Sequence, residues 1–253
     1  MAWNKFQEIV ENQGGRLLEI PVSNNRKDIL REDCKTMRVV VKIGTSTLAH
    51  TNGRLNIRRV EELCKVLSDL KNAGHEIILV SSGAVGLGAG KLGMKEKPKD
   101  TPTKQAIAAI GQCELMHIYD DMFEKYSVTV AQILLTKTII ENERRKNVEN
   151  TIERLISLGC IPIVNENDTI SVTELMFTDN DELSGLLATM MHAEALIILS
   201  NIDGIYNGNP SDPASEVIRE ITPEGNFTKY IQTGKSSFGR GGMLTKTTIA
   251  RKV

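Results

Sequence analysis

The chain has little of what several protein classes require. Among its 253 residues, 31 Lys and Arg stand against 32 Asp and Glu, a net charge of −1. That leaves no basic field of the kind nucleic-acid binders use. No apolar run reaches the roughly 18 residues of a membrane span. The amino-terminal stretch MAWNKFQEIVENQGG has no apolar centre like that of a secretory leader. The four cysteines, Cys34, Cys64, Cys113 and Cys160, are far apart and form no Cys-x-x-Cys pair. They read as reduced core or surface residues, not as a disulfide frame or zinc site. The four histidines show no ligand spacing. The expectation is a soluble cytoplasmic protein without nucleic-acid or membrane partners.

What is present is ordinary globular composition, 40% hydrophobic and 25% charged. Residues 1–36 stand apart as a polar segment with Gly14-Gly15 and a charged run from Asn25 to Lys35. Met37 directly precedes an apolar strand, so residues 1–36 are expected to be an extension of unknown role. From Met37 onward, strand-like runs (Val39–Ile43, Ile77–Val80, Val130–Leu135, Ile161–Val164 and Leu196–Leu199) alternate with helical patterns (Arg58–Ala73, Thr103–Tyr126, Glu143–Leu158 and Asp181–Ala193). Most of the strands are continuous Val, Ile and Leu, as a parallel sheet covered on both faces requires. The β-α-β order predicts a three-layer α/β/α sandwich around a doubly wound, mainly parallel sheet. Gly74 and Gly159 stand where helix stops belong.

Chemistry-bearing residues gather where these strands end. After Ile161–Val164 come Asn165, Glu166, Asn167 and Asp168, then a second polar knot, Thr178-Asp179-Asn180-Asp181. Ligands of open α/β sheets bind beyond the strands' carboxyl ends. The plain alternative is a polar loop with a helix cap at Asp179 or Asn180. Lys42 lies inside an apolar strand, which is costly unless its amine has a partner; it is otherwise a lysine that snorkels to water. Gly44 and Thr45 follow it. The second strand ends in Ser81-Ser82-Gly83-Ala84, where backbone N–H groups can face an anion. Gly86, Gly88 and Gly90 have the wrong spacing and position for a dinucleotide fingerprint. The fifth strand runs into Ser200, Asn201, an Asp203-Gly204 turn and Tyr206, which suits a purine edge or a plain turn. Near the end, Gly239-Arg240-Gly241-Gly242-Met243 leads to Lys246; it is not a Walker A loop, but it has the makings of a phosphate cradle. Two lysines, two glycine-rich turns and a carboxylate–amide cluster are the parts that phosphoryl transfer needs.

Taken in order, VVVKIGTSTL, ILVSSGAVGLG, KQAIAAIGQ, VAQILLT, IPIVNENDTI, TDND, LIILSNIDGIY and GRGGMLTK resemble the glutamate 5-kinase branch of the amino acid kinase family from Met37 to Val253. NEND followed by DND is the specific part. The resemblance implies ATP-dependent phosphorylation of the γ-carboxylate of L-glutamate, the first step toward proline, with proline as a feedback inhibitor and a dimer or tetramer as the assembly. It makes Lys42, Lys246 and Asp181 catalytic: the two lysines on the moving phosphoryl group, and Asp181 orienting both amines. Ser82, Gly83, Asn165, Asp168 and Asn180 would hold glutamate. Lys42, Gly44, Thr45, Ser200, Asn201, Arg240, Gly241, Gly242, Met243 and Lys246 would line ATP. Magnesium would be held mainly by ATP oxygens and water, with no dedicated carboxylate cage and no metal-binding residue assigned. Asn201 stands where the family usually has Asp. Residues 37–253 would then be a kinase domain cut short at its carboxyl end, without the RNA-binding-like domain that many members add. Rival expectations are another amino acid or carbamate kinase of the same family, or an inactive amino-acid-binding module.

Overall fold

The computed structural model describes residues 36–48, 50, 55–94, 96, 98–137, 144–171, 180–199, 205–207, 209 and 212–218. Five strands form one sheet: β1 (Arg38–Ile43), β2 (Glu76–Ser81), β3 (Val130–Leu135), β4 (Ile161–Glu166) and β5 (Ala195–Leu199). Their spatial order is β3-β4-β2-β1-β5, and every pairing is parallel. The helices among the described residues are α1 (Thr45–Leu48), α2 (Ile57–Asn72), α3 (Ala84–Lys91), α4 (Thr101–Glu124), α5 (Arg145–Ser157) and α6 (Asn180–Met190). A separate antiparallel ribbon joins β6 (Ile205–Tyr206) to β7 (Val217–Ile218).

Strand parity sorts the core into two layers, because successive side chains point to opposite faces. Val39, Val41, Ile43, Ile77, Leu79, Ile161 and Ile163 pack with Val60, Cys64 and Leu67 of α2 and Leu115, Tyr119 and Phe123 of α4. Val40, Ile78, Val80 and Val164 pack with Val148 and Ile152 of α5 and Leu183 and Leu187 of α6. The chain is a three-layer α/β/α sandwich with a doubly wound parallel sheet, as the continuous apolar strands predict. Both predicted glycine stops hold: Gly74 (φ 100°) and Gly159 (φ 77°) are left-handed just past α2 and α5. At the amino edge of the sheet the Arg38 guanidinium joins Glu76 (2.7 Å), Glu153 (2.6 Å) and the Met191 carbonyl (2.8 Å), tying β1 to β2, α5 and the end of α6.

The structure differs from the sequence reading at two places that matter for the site. Asn165 and Glu166 do not open a loop. They are the last two residues of β4, paired with Leu134 and Leu135 of β3, and both are buried. The ladder runs on past the apolar residues because the Asn165 side chain finds partners inside the fold. The glycine-rich end of the second strand, read as a turn leading toward a helix, is already helical from Ala84: Ala84–Lys91 is the helix α3. It lies against α4 so closely that a Cβ on Gly88 would come 2.1 Å from the Ile107 carbonyl oxygen, and one on Gly111 1.7 Å from that of Ala84. These glycines serve helix-on-helix contact. Cys64 is buried, and burial pushes its thiol up to about 12, which makes it an inert core residue. Cys113 is exposed, Cys160 is half-buried, and Cys34 lies outside the described residues.

Candidate active site

Parity also decides where the polar residues of the strands point. Lys42 shares its face with Val40, the face that α6 covers. Asp181, in the first turn of α6, is fully buried at 0% exposure, and its carboxylate pairs with the Lys42 amine, which is itself buried. This answers the snorkelling alternative: the amine stays inside, on a carboxylate. An ion pair so deep is kept only where each partner satisfies the other, since either charge alone would be very costly there.

Asn180, one residue before, points to the sheet's carboxyl edge. Its Nδ2 donates to the Ser81 carbonyl (2.7 Å) and the Asn165 Oδ1 (2.8 Å) and lies 2.8 Å from the Ser82 Oγ, gathering the ends of β2 and β4 under α6. Asn165 and Ser81 have the parity of the other face, toward α4. There the Asn165 Nδ2 donates to the Gln112 Oε1 (2.8 Å), and Ser81 Oγ bonds the Tyr119 hydroxyl (2.9 Å). Burial pushes the Tyr119 hydroxyl far above its ordinary range, so it stays neutral and serves as a hydrogen-bonding group. Ser82 is tied back to β1 by its own N–H on the Ile43 carbonyl (3.2 Å).

Gly83 follows Ser82 and caps α3 with φ 114°, a conformation that side chains resist. Its cap residue is a glycine, so no cap side chain covers the first N–H groups of this helix, which begins where β2 ends. Ala84 there shares a small cleft of about 10 Å³ with Gln112, Glu166, Asn167, Asp168 and Thr169. Asp168 lies in the turn directly after β4 and is half-buried. Glu166 accepts from Ser171 Oγ (3.3 Å), and Asn167 Oδ1 accepts from the Thr169 N–H (3.3 Å), which shape the turn.

Thus the structure brings Lys42, Asp181, Asn180, Asn165, Ser82, Gly83 and Asp168 to one edge of the sheet. Gly44 and Thr45 stand at the same edge, where the Gly44 carbonyl starts α1 by accepting from Thr47 and Leu48 (3.0 and 3.2 Å). Ser200, Asn201, Arg240, Gly241, Gly242, Met243 and Lys246 lie outside the described residues. Tyr206 is half-buried in the β6–β7 ribbon, opposite Val217. Sequence reasoning gave Gln112 and Tyr119 no part, and Glu166 only a place in the polar cluster. Gln112 had a signal: it is the polar member of the buried stripe Ala108, Gln112, Leu115, Tyr119, Phe123 along α4. Glu166 carried none beyond its place beside Asn165.

The profile of the amino acid kinase family matches residues 37–253. The chain belongs to the amino acid kinase family. Among similar proteins, the glutamate 5-kinase of Bacteroides thetaiotaomicron is 52% identical over 217 residues, which cover 85% of this chain and 60% of that protein. That of Clostridium perfringens is 49% identical over 223 residues, covering 85% of this chain and 82% of that protein. That of Listeria monocytogenes serovar 1/2a is 49% identical over 232 residues, covering 87% and 83%. The family match begins at Met37, so residues 1–36 lie outside it.

Proposed function

We propose that this chain transfers the γ-phosphoryl group of ATP to the γ-carboxylate of L-glutamate, giving L-glutamyl 5-phosphate for the first step of proline biosynthesis. The observation that carries the reading is the buried Lys42–Asp181 pair, one residue from an amide cluster at the sheet's carboxyl edge. Relatives half identical to this chain bear the name glutamate 5-kinase. A lysine fixed by a buried carboxylate is a preorganised cation, and phosphoryl transfer is catalysed mainly by positioning and by such charges.

In this reading a γ-carboxylate oxygen forms a bond to the γ-phosphorus as the bond to the bridging oxygen breaks, and ADP leaves. Lys42 offsets charge on the moving group, and Asp181 holds its amine in place. Asp168 receives the substrate ammonium. Ser82, Gly83 and the first turn of α3 supply donors for a carboxylate, while Asn165 and Asn180 set the direction of the bound chain. Lys246 joins Lys42 on the moving group, and Ser200, Asn201 and residues 240–243, with Gly44 and Thr45, serve the nucleotide. The magnesium ion enters with ATP as part of the substrate. Asp181 is taken up by Lys42 and, among the described residues, no group of three His, Cys, Asp or Glu gathers to hold a metal. A cytoplasmic location, L-proline as a feedback ligand and a homo-oligomeric assembly belong to the same reading.

The test is ATP consumption with L-glutamate, L-aspartate and N-acetyl-L-glutamate as acceptors. L-Glutamate should be the preferred acceptor by a wide margin. Faster turnover of N-acetyl-L-glutamate, which has no ammonium, or of L-aspartate would refute the substrate and leave the family intact.

A further inference from the structure

The amides of Asn180, Asn165 and Gln112 form a relay whose direction is set by backbone groups that cannot change role. The Glu166 N–H can only donate, and it donates to the Asn165 Oδ1 (2.9 Å). The Ser81 carbonyl can only accept, and it accepts from the Asn180 Nδ2 (2.7 Å). With Oδ1 of Asn165 spoken for twice, its Nδ2 is the atom that faces Gln112, and Gln112 must present Oε1 to it. The other end of the Gln112 amide, Nε2, is then a donor, and it is buried without a hydrogen-bond partner among the described residues. The residue is 8% exposed and lines the cleft that also holds Ala84 and Asp168. A buried polar group left without a partner costs about 1–3 kcal/mol. Such a group, turned to a cleft by three fixed neighbours, is the mark of a missing ligand atom.

We infer that Gln112 is a substrate-binding residue whose Nε2 donates to the α-carboxylate of the amino-acid substrate. The inference rests on the function proposed above, and it deepens it by naming the group that reads the head of glutamate. The ligand atom has to be an acceptor, because Nε2 is a donor. Oε1 of the same amide is occupied. Strand order chooses between the two carboxylates. Lys42 stands on β1, whereas Gln112 stands over Asn165 on β4, with β2 between them. Two strand spacings come to about 9.5 Å. The γ-carboxylate must lie at the Lys42 end to meet the phosphoryl group, so the α-carboxylate falls at the Gln112 end. There the start of α3, at Ala84, and Gln112 line the same cleft, and Asp168 within it takes the ammonium. Two carboxylates, Glu166 and Asp168, line this cleft. A neutral donor held in a fixed direction gives the site a place for a substrate anion beside them.

Calorimetric titration of the whole chain with L-glutamate and with 4-aminobutyrate tests this, with turnover measured in parallel. 4-Aminobutyrate keeps the ammonium and the reacting carboxylate but has no α-carboxylate. Gln112→Met should weaken L-glutamate binding by about 10- to 100-fold, the range for a hydrogen bond to a charged group. Binding of 4-aminobutyrate should stay within about twofold of wild type. Gln112→Glu keeps an acceptor for Asn165 and places an anion at the free position; it too should lose L-glutamate selectively, and it carries the test if Gln112→Met fails to fold. Equal losses for both ligands would mean that Gln112 only supports the relay, and L-glutamate binding close to wild type would mean that it makes no contact; either result overturns the inference. Binding reads Gln112 and turnover reads the function. A wild-type chain that binds L-glutamate without phosphorylating it would sink the proposed reaction and leave the contact standing. One that binds no L-glutamate would overturn both.

Discussion

Alanine at Gly86 and alanine at Gly88 should move stability in opposite directions, although the two glycines are two residues apart on the same helix. A Cβ at Gly86 would have Thr45 Cγ2 as its nearest neighbour at 3.5 Å, an ordinary contact. Gly86→Ala should therefore recover the helical cost of glycine, about 0.5–1 kcal/mol. A Cβ at Gly88 would lie 2.1 Å from the Ile107 carbonyl oxygen and 3.0 Å from the Gly111 N. These are backbone atoms that cannot swing aside, so α3 and α4 would have to part by roughly 1.3 Å to reach ordinary contact at 3.4 Å. Overpacking of this kind costs about 1–3 kcal/mol or more, which exceeds the propensity gain. Thermal unfolding of the two variants is the assay. In a chain of this length each kcal/mol moves the melting temperature by about 2–4 °C. Gly86→Ala should melt slightly above wild type and Gly88→Ala several degrees below it. Gly88→Ala should also raise the KM for L-glutamate, because the first turn of α3 walls the cleft. Shifts of the same sign, or a Gly88→Ala variant as stable as wild type, would refute the account of why α3 is rich in glycine.

Asp181→Asn strands the Lys42 amine in the core and should cost about 3–5 kcal/mol in urea unfolding. The double variant Lys42→Met/Asp181→Leu should regain most of that stability while turnover stays lost; a stable, active double variant would remove the pair from the mechanism. Asp168→Asn should raise the KM for L-glutamate by roughly 30-fold, the equivalent of about 2 kcal/mol for a lost counter-charge, and leave the KM for ATP near wild type. Steady-state kinetics with each substrate varied would show this. His75 is half-buried, and its Nδ1 accepts from the Met37 N–H (3.3 Å). Burial holds its pKa below the ordinary value of 6.5, so the unfolded chain takes up the proton first as pH falls. Its contribution is complete above about pH 6.5 and is lost progressively below it; urea midpoints at about pH 7 and about pH 5.5 should differ less in His75→Gln than in wild type.

The sequence by itself determined the layered fold. Continuous apolar runs such as Val39–Ile43 and Ile161–Val164 have nowhere to go but a sheet buried on both faces, and the helical patterns between them force parallel crossovers. It also singled out Lys42, because a lysine in such a run demands a partner, and it marked the polar knots after β4 and before α6. Tertiary structure decided which residues meet. That Asp181 rather than another carboxylate receives Lys42 follows from strand parity and from the face α6 covers. That Asn165 and Glu166 end a strand instead of opening a loop follows from their pairing with β3. The glycines of α3 read locally as turn or phosphate-binding residues, and only the approach of α4 shows that they make room for a second helix. Gln112 interrupts an apolar stripe in the sequence, but the direction of its free donor depends on a backbone N–H of β4 and a backbone carbonyl of β2. Periodicity records how much of each residue is buried, and it does so over a few neighbours. Pairing across the fold is set by sheet register and helix packing, which join residues far apart in the chain and leave no local pattern to read.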